Sequence, residues 1–149
     1  MSFVQRFDHV GITVADLDVA ADFFVALGLV VEGRTFVEGE FLDTVIGMSG
    51  ARVEIVVLRA PDGGTGVELS RFVQPDHLPG DPAPAENALG LRNVTFQVRD
   101  LDAAVERVAA DGYGTVGDVG EYEGEWRMVH LRGPEGIIVS LAERIDRAG

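Results

Sequence analysis

The chain has 149 residues, nearly half of them hydrophobic, and sets 25 acidic side chains against 12 arginines and no lysine, for a net charge of −13. That length can bury one sizeable core and excludes a disordered chain, while the acidity excludes proteins that grip nucleic-acid phosphates or anionic membrane surfaces. The lack of any cysteine excludes disulfides, thiolate metal sites and a cysteine nucleophile.

The first residues, Met1 to Arg6, carry no apolar secretory core, so a cytoplasmic location is expected. No apolar run approaches the roughly 18 residues of a membrane helix. Val10, Ile12 and Val14 then alternate with His9, Gly11 and Thr13, the pattern of a half-buried strand. Asp16 suits a helix N-cap, Leu17, Ala20, Ala21, Phe24 and Leu27 keep helical spacing, and Gly28 is a plausible stop. Three strands are expected near 29–36, 52–59 and 66–72, with a short helical insert over 41–48. Pro61-Asp62-Gly63 has turn chemistry. Gly63-Gly64-Thr65-Gly66 lacks the following helix and lysine of a phosphate loop and reads as a hairpin turn.

Four of the six prolines, at 75, 79, 82 and 84, fall in the next stretch, which reads as a proline-stiffened linker over 73–90. After it the chain repeats itself. Residues 92–102 line up with 8–18, so that Asn93 takes the place of His9 and Asp100 that of Asp16. Likewise Leu131-Arg132-Gly133-Pro134-Glu135-Gly136 lines up with Leu58-Arg59-Ala60-Pro61-Asp62-Gly63. Val94, Phe96 and Val98 alternate with Asn93, Thr95 and Gln97. A helix is expected from Leu101, Ala104, Val105 and Val108, ended by Gly112. Strands follow near 115–120, 126–132 and 136–142, with hairpin-turn chemistry at Pro134-Glu135-Gly136. The chain is thus two βαβββ units, module one over 7–72 and module two over 91–143. The first is longer inside, around Gly33 to Gly50.

This duplicated unit resembles the vicinal-oxygen-chelate superfamily, the glyoxalase, bleomycin-resistance and extradiol-dioxygenase group. The resemblance implies an α+β fold in which the two modules form a curved mixed sheet enclosing a cavity. It also implies a homodimer and a small-molecule ligand. If helices cover the Val10 and Val94 faces, alternation leaves the opposite face to His9, Gly11, Thr13, Val53, Ile55, Val57, Glu68, Ser70, Asn93, Thr95, Gln97, Trp126, Met128, His130, Ile138 and Ser140. This mixture of apolar walls and a few polar groups suits a small-molecule pocket.

In the family each module typically offers a metal ligand on its first strand and a carboxylate on its last. Matched position by position, His9 and Glu68 are the ligands of module one and also the candidate catalytic pair. Asn93, a weak ligand, and Ser140, a poorer one, stand at the matching places of module two. His130 is a third candidate ligand; its plain alternative is a hydrogen-bonded pocket residue. The implied cofactor is one divalent ion (Zn, Ni, Mn, Fe or Mg), with a metal-free form as the alternative. Trp126 and Met128 read as pocket lining, with plain core as the alternative. His77 and the acidic loop Glu121, Tyr122, Glu123 and Glu125 read as solvated. No Ser–His–Asp arrangement can be assembled. Three functions remain open at this point. One is a glyoxalase-like, metal-dependent lyase or isomerase acting on vicinal oxygens, with a dioxygenase ranking lower because module two supplies neither its histidines nor its glutamate. Another is a metal-free binder of the bleomycin-resistance type. The last is metal-independent acid–base catalysis by His9 and Glu68.

Overall fold

In the computed structural model, which describes residues 2–145, strand β1 (His9–Thr13) runs directly into helix α1 (Leu17–Ala26). The junction is set by Asp16, whose backbone is extended and whose carboxylate accepts from the Val19 N–H. That hydrogen bond satisfies a first-turn donor the helix cannot. Leu17, Ala20, Ala21, Phe23 and Phe24 bury one face of the helix. Gly28 follows at φ +111°, beyond the comfortable range of a side-chain-bearing residue.

Strands β2 (Val30–Glu38), β3 (Arg52–Arg59) and β4 (Gly66–Gln74) complete the first sheet in the order β1-β4-β3-β2. Strand β1 pairs β4 in parallel and the other pairs are antiparallel. Helix α1 packs on β3 and β4, burying Val56, Leu58, Val67 and Leu69. Burying each such side chain contributes about 1.5–3 kcal/mol. Arg34 on β2 fastens the helix to this face, donating to Asp18 at 2.7 Å and to Glu54 at 2.9 Å. The helical insert expected over 41–48 is helix α2 (Glu40–Ile46). Its Leu42 joins Ala51 and Val53 in a second small core, with Val37, Ile55 and Phe72 packed around it. Val53, expected on an open face, is instead covered because the insert folds over that end of the sheet.

The second unit repeats the plan. Strand β5 (Asn93–Gln97) leads to helix α3 (Leu101–Ala110), capped by Asp100 through the Ala103 N–H. The Glu143 carboxylate takes a further first-turn donor, the Leu101 N–H, at 2.6 Å. Strands β6 (Gly114–Thr115), β7 (Gly120–Tyr122), β8 (Trp126–Arg132) and β9 (Ile138–Arg144) form a sheet ordered β5-β9-β8-β6, with β7 also on β8. Leu101 and Val108 are buried on α3, and Val129, Leu131, Val139 and Leu141 on the sheet. The single strand expected over 115–120 is two short ones, β6 and β7. Gly117 and Asp118, poor strand formers, lie in the break. The expected hairpin turn at 134–136 is one turn of 3-10 helix with Glu135 at φ 55°, and β9 starts at Ile138.

The division between the two compact units falls at Gly80 and Asp81, inside the proline-rich segment. Residues 75–92 hold no helix or strand. No helix among the described residues is long and apolar enough to cross a membrane.

Candidate functional site

The helix-free face of module one follows from register. The parallel pairing sets Gly11 beside Glu68 and Thr13 beside Ser70. Antiparallel pairing continues these rows to Val57 and Gly33, and to Ile55 and Thr35. His9 stands one step along β1 from the Glu68 row, opposite Gly66. A glycine is required there. A methyl at 66 would sit 2.9 Å from the Leu58 carbonyl oxygen and 3.0 Å from an Arg59 guanidinium nitrogen. The tight packing lets Arg59 donate to the carbonyls of Asp8 and Gly64, which holds the entry to β1 against the β3–β4 turn.

The long side chains of His9 and Glu68 meet diagonally across the two strands, with Nε2 3.2 Å from Oε2. The other ring nitrogen, Nδ1, lies 2.7 Å from Oδ2 of Asp8. Arg6 donates to the second oxygen of Asp8 at 2.6 Å. The imidazole hydrogen bond, followed by the Arg6 guanidinium, holds the Asp8 carboxyl down at about 2, below its ordinary 3.8. His9 is 39% exposed and Glu68 27%, so both can be reached from solvent. A methyl added at Gly11 or Gly33 would meet nothing within 4 Å, which leaves the floor on both sides of the Glu68–Val57 pair open.

Module two presents a different set on the equivalent face. Register joins Thr95, Ser140 and His130 in one row, and Gln97, Ala142 and Met128 in the next. The Asn93 amide oxygen accepts from the Thr95 hydroxyl at 2.9 Å. Ser140 is 1% exposed and its hydroxyl has no partner among the described residues. The Arg144 guanidinium stacks over Trp126 at 5.5 Å, taking one face of the ring that stood open in the sequence reading. Nδ1 of His130 is bonded to the carboxylate of Glu86, from the linker. His77 is exposed beside Asp76.

Sequence reasoning missed Asp8, Arg6 and Glu86. Asp8 had a usable signal, since a carboxylate immediately before a strand histidine can turn back onto Nδ1. Glu86 had none, because nothing in a proline-rich stretch says which strand it will lie against.

Residues 8–129 match the sequence profile described as the glyoxalase/bleomycin resistance protein/dioxygenase superfamily. The chain belongs to that superfamily. It is also similar to the solved structure of a glyoxalase family protein from Bacillus cereus, with 41% identity, 97% of each chain covered and a TM-score of 0.93. Weaker likenesses show the fold. A glyoxalase/dioxygenase from Nostoc punctiforme gives 20% identity and a TM-score of 0.68 over 95% of this chain and 92% of that one. TnmS3, an antibiotic binding protein from Streptomyces sp. CB03234, gives 18% and 0.61 over 97% of this chain and all of that one. No curated protein matches the chain.

Superfamily members often hold a divalent ion, and part of this site suits one. A 3.2 Å separation is what two ligands about 2.1 Å from a shared ion would have, and a carboxylate on the far ring nitrogen is a common support for a metal-bound histidine. The set stops there. Among the described residues no group of three His, Cys, Asp or Glu side chains is arranged to hold a metal ion, since Asp8 faces the far ring nitrogen of His9 rather than the Glu68 side. Two donors are half a site, and no chemical step is assigned to a metal here.

Proposed function

We propose that this protein binds a small polar molecule with neighbouring oxygens on the helix-free face of module one, using His9 and Glu68 as its polar anchor and no tightly held divalent ion. The reading rests on one observation: the His9 imidazole lies between two carboxylates, beside a floor left open by Gly11 and Gly33. Asp8 fixes the ring through Nδ1 and leaves Nε2 directed at Glu68. Thr13 and Ser70 add hydroxyls, and Val57 and Ile55 add apolar wall. The likeness to an antibiotic binding protein supports a binding role.

The same pair supports acid–base chemistry as a second reading. Nε2 of His9 and Oε2 of Glu68 lie 3.2 Å apart, so a ligand oxygen or an acidic C–H beside a carbonyl that enters between them can exchange a proton with either group.

Elemental analysis of protein purified without chelator, together with calorimetric titration against a panel of dicarbonyl, hydroxy-acid and aromatic antibiotic compounds, tests the proposal. The expected result is far less than one equivalent of any divalent metal and a saturable ligand whose affinity EDTA does not change. Stoichiometric metal that is needed for binding would overturn it. EDTA-insensitive turnover of the bound compound, abolished by Glu68→Gln, selects the acid–base reading over pure binding.

A further inference from the structure

Helix α2 has no counterpart between β6 and β8 of module two, and it covers one end of the face that carries His9 and Glu68. Resting on the binding role proposed for that pair, we propose that the ligand is an uncharged molecule with two neighbouring oxygens at one end and an unbranched alkyl tail, that the tail lies along β3, and that α2 sets its greatest length.

Register lays the face out in three rows across β4, β3 and β2. Glu68, Val57 and Gly33 form the first, Ser70, Ile55 and Thr35 the second, and Phe72, Val53 and Val37 the third. In the first two rows β4 and β2 carry only polar or small residues, whereas β3 is apolar in all three. Val57 and Ile55 are half-buried, but Val53 is 3% exposed because Leu42 of α2 packs on it. The apolar lane is therefore open beside Glu68 and shut at the third row. A strip of apolar surface that leaves a polar pair and ends at a wall fits a molecule with a polar head and an apolar tail.

The length of that tail follows from the strand. Val53 lies four residues along β3 from Val57, roughly 13 Å at about 3.3 Å per residue. Van der Waals contact with the wall takes about 4 Å of this. The remainder holds roughly seven carbons of an extended chain, at about 1.3 Å of advance per carbon. The head is uncharged for a local reason. An oxygen held at Nε2 of His9 stands against Glu68, 3.2 Å from that nitrogen, and Asp8 takes the other side of the ring. A ligand carboxylate there would set two carboxylates side by side, which is unfavourable, whereas a hydroxyl can donate to Glu68.

Calorimetric titration of the full chain with unbranched terminal vicinal diols, from propanediol to dodecanediol and each below its solubility limit, tests this. Affinity should rise about threefold per added carbon. It should level off once the tail beyond the diol exceeds roughly seven carbons. In Leu42→Ala, which opens the wall, levelling should come at a longer tail. Ile55→Thr should weaken the long diols about threefold or more and leave propanediol unchanged. An α-hydroxyoctanoate should bind about tenfold or more weakly than octanediol. Affinity indifferent to tail length or still climbing at dodecanediol in the wild type, or a limit unmoved in folded Leu42→Ala, would overturn the lane and its wall. If Leu42→Ala does not fold, the wild-type limit and Ile55→Thr decide. An α-hydroxyoctanoate that binds as tightly as octanediol would overturn the uncharged head. Failure of every diol and dicarbonyl compound to bind overturns the binding role of His9 and Glu68 itself, whereas a short dicarbonyl compound that binds while tail length has no effect overturns only this inference.

Discussion

Replacing His9 with phenylalanine isolates the contact on which the module-one site depends. The ring keeps its shape and loses both nitrogens, so Asp8 loses the hydrogen bond that contributes most to its acidity. Arg6 remains, and its guanidinium still favours the ionised carboxylate. The Asp8 carboxyl, which titrates at about 2 in the folded wild type, should therefore climb toward 3.8 without fully reaching it. Carbon-13 titration of the side-chain carboxyls reads this directly. The sign for stability follows. In the wild type the folded value lies below the unfolded one, so the unfolded chain binds more protons between them and stability rises with pH across that window. The contribution of Asp8 is complete above about 3.8 and is lost as pH falls to about 2. In His9→Phe the window narrows, and the slope of unfolding free energy against pH over the same range should be shallower. An Asp8 carboxyl that still titrates at about 2 in the variant would refute the arrangement, since His9 could not then be its main partner.

Gly11→Ala should leave the melting temperature near that of the wild type, because the position is extended strand and the added methyl meets nothing within 4 Å, yet weaken ligand affinity severalfold by filling the open floor. Unchanged calorimetric affinity would place the ligand elsewhere. Gly66→Ala pushes a methyl against the Leu58 carbonyl and should cost about 1–3 kcal/mol in chemical denaturation, as overpacking does. Leu58→Ala, at a side chain with no exposed surface under α1, should cost about 2–5 kcal/mol through lost transfer energy and a cavity. Light scattering should return the mass of two chains if this protein pairs as the family resemblance implies.

Much of the fold was legible because its signals are local and repeat. Period-two alternation marked β1 and β5, and the strands at 52–59 and 126–132 fall where apolar alternation ran between turn residues. Asp16 and Asp100 were readable as caps because a carboxylate before an apolar helical face has few other uses. What escaped depends on contacts distant in sequence. Val53 alternates like a face residue, and only the packing of Leu42 on it decides otherwise. Trp126 alternates correctly too, yet the guanidinium that covers it comes from Arg144, on another strand. At the candidate site, His9 and Glu68 were found by matching residues to a family pattern. That the imidazole spans two carboxylates depends on Asp8, which alternation ignores because it precedes the strand.

Both modules carry a histidine–carboxylate pair, at positions that do not match in the repeat. A βαβββ unit offers one face to its helix and leaves the other free, so polar groups that survive on the free face need partners or solvent. In module one the last strand supplies the carboxylate, Glu68, and the first strand the imidazole. In module two Ser140 stands at the place of that carboxylate and Asn93 at the place of the imidazole. Its imidazole–carboxylate pair lies instead on β8 and in the linker, at His130 and Glu86. A residue on a strand is fixed by its ladder, whereas one on a linker is fixed only if something presses the linker down. Gly136 does this, by leaving room for Pro82 and Pro84. The prolines that read as a spacer between two copies are therefore, on the module-two side, part of how that copy holds its histidine.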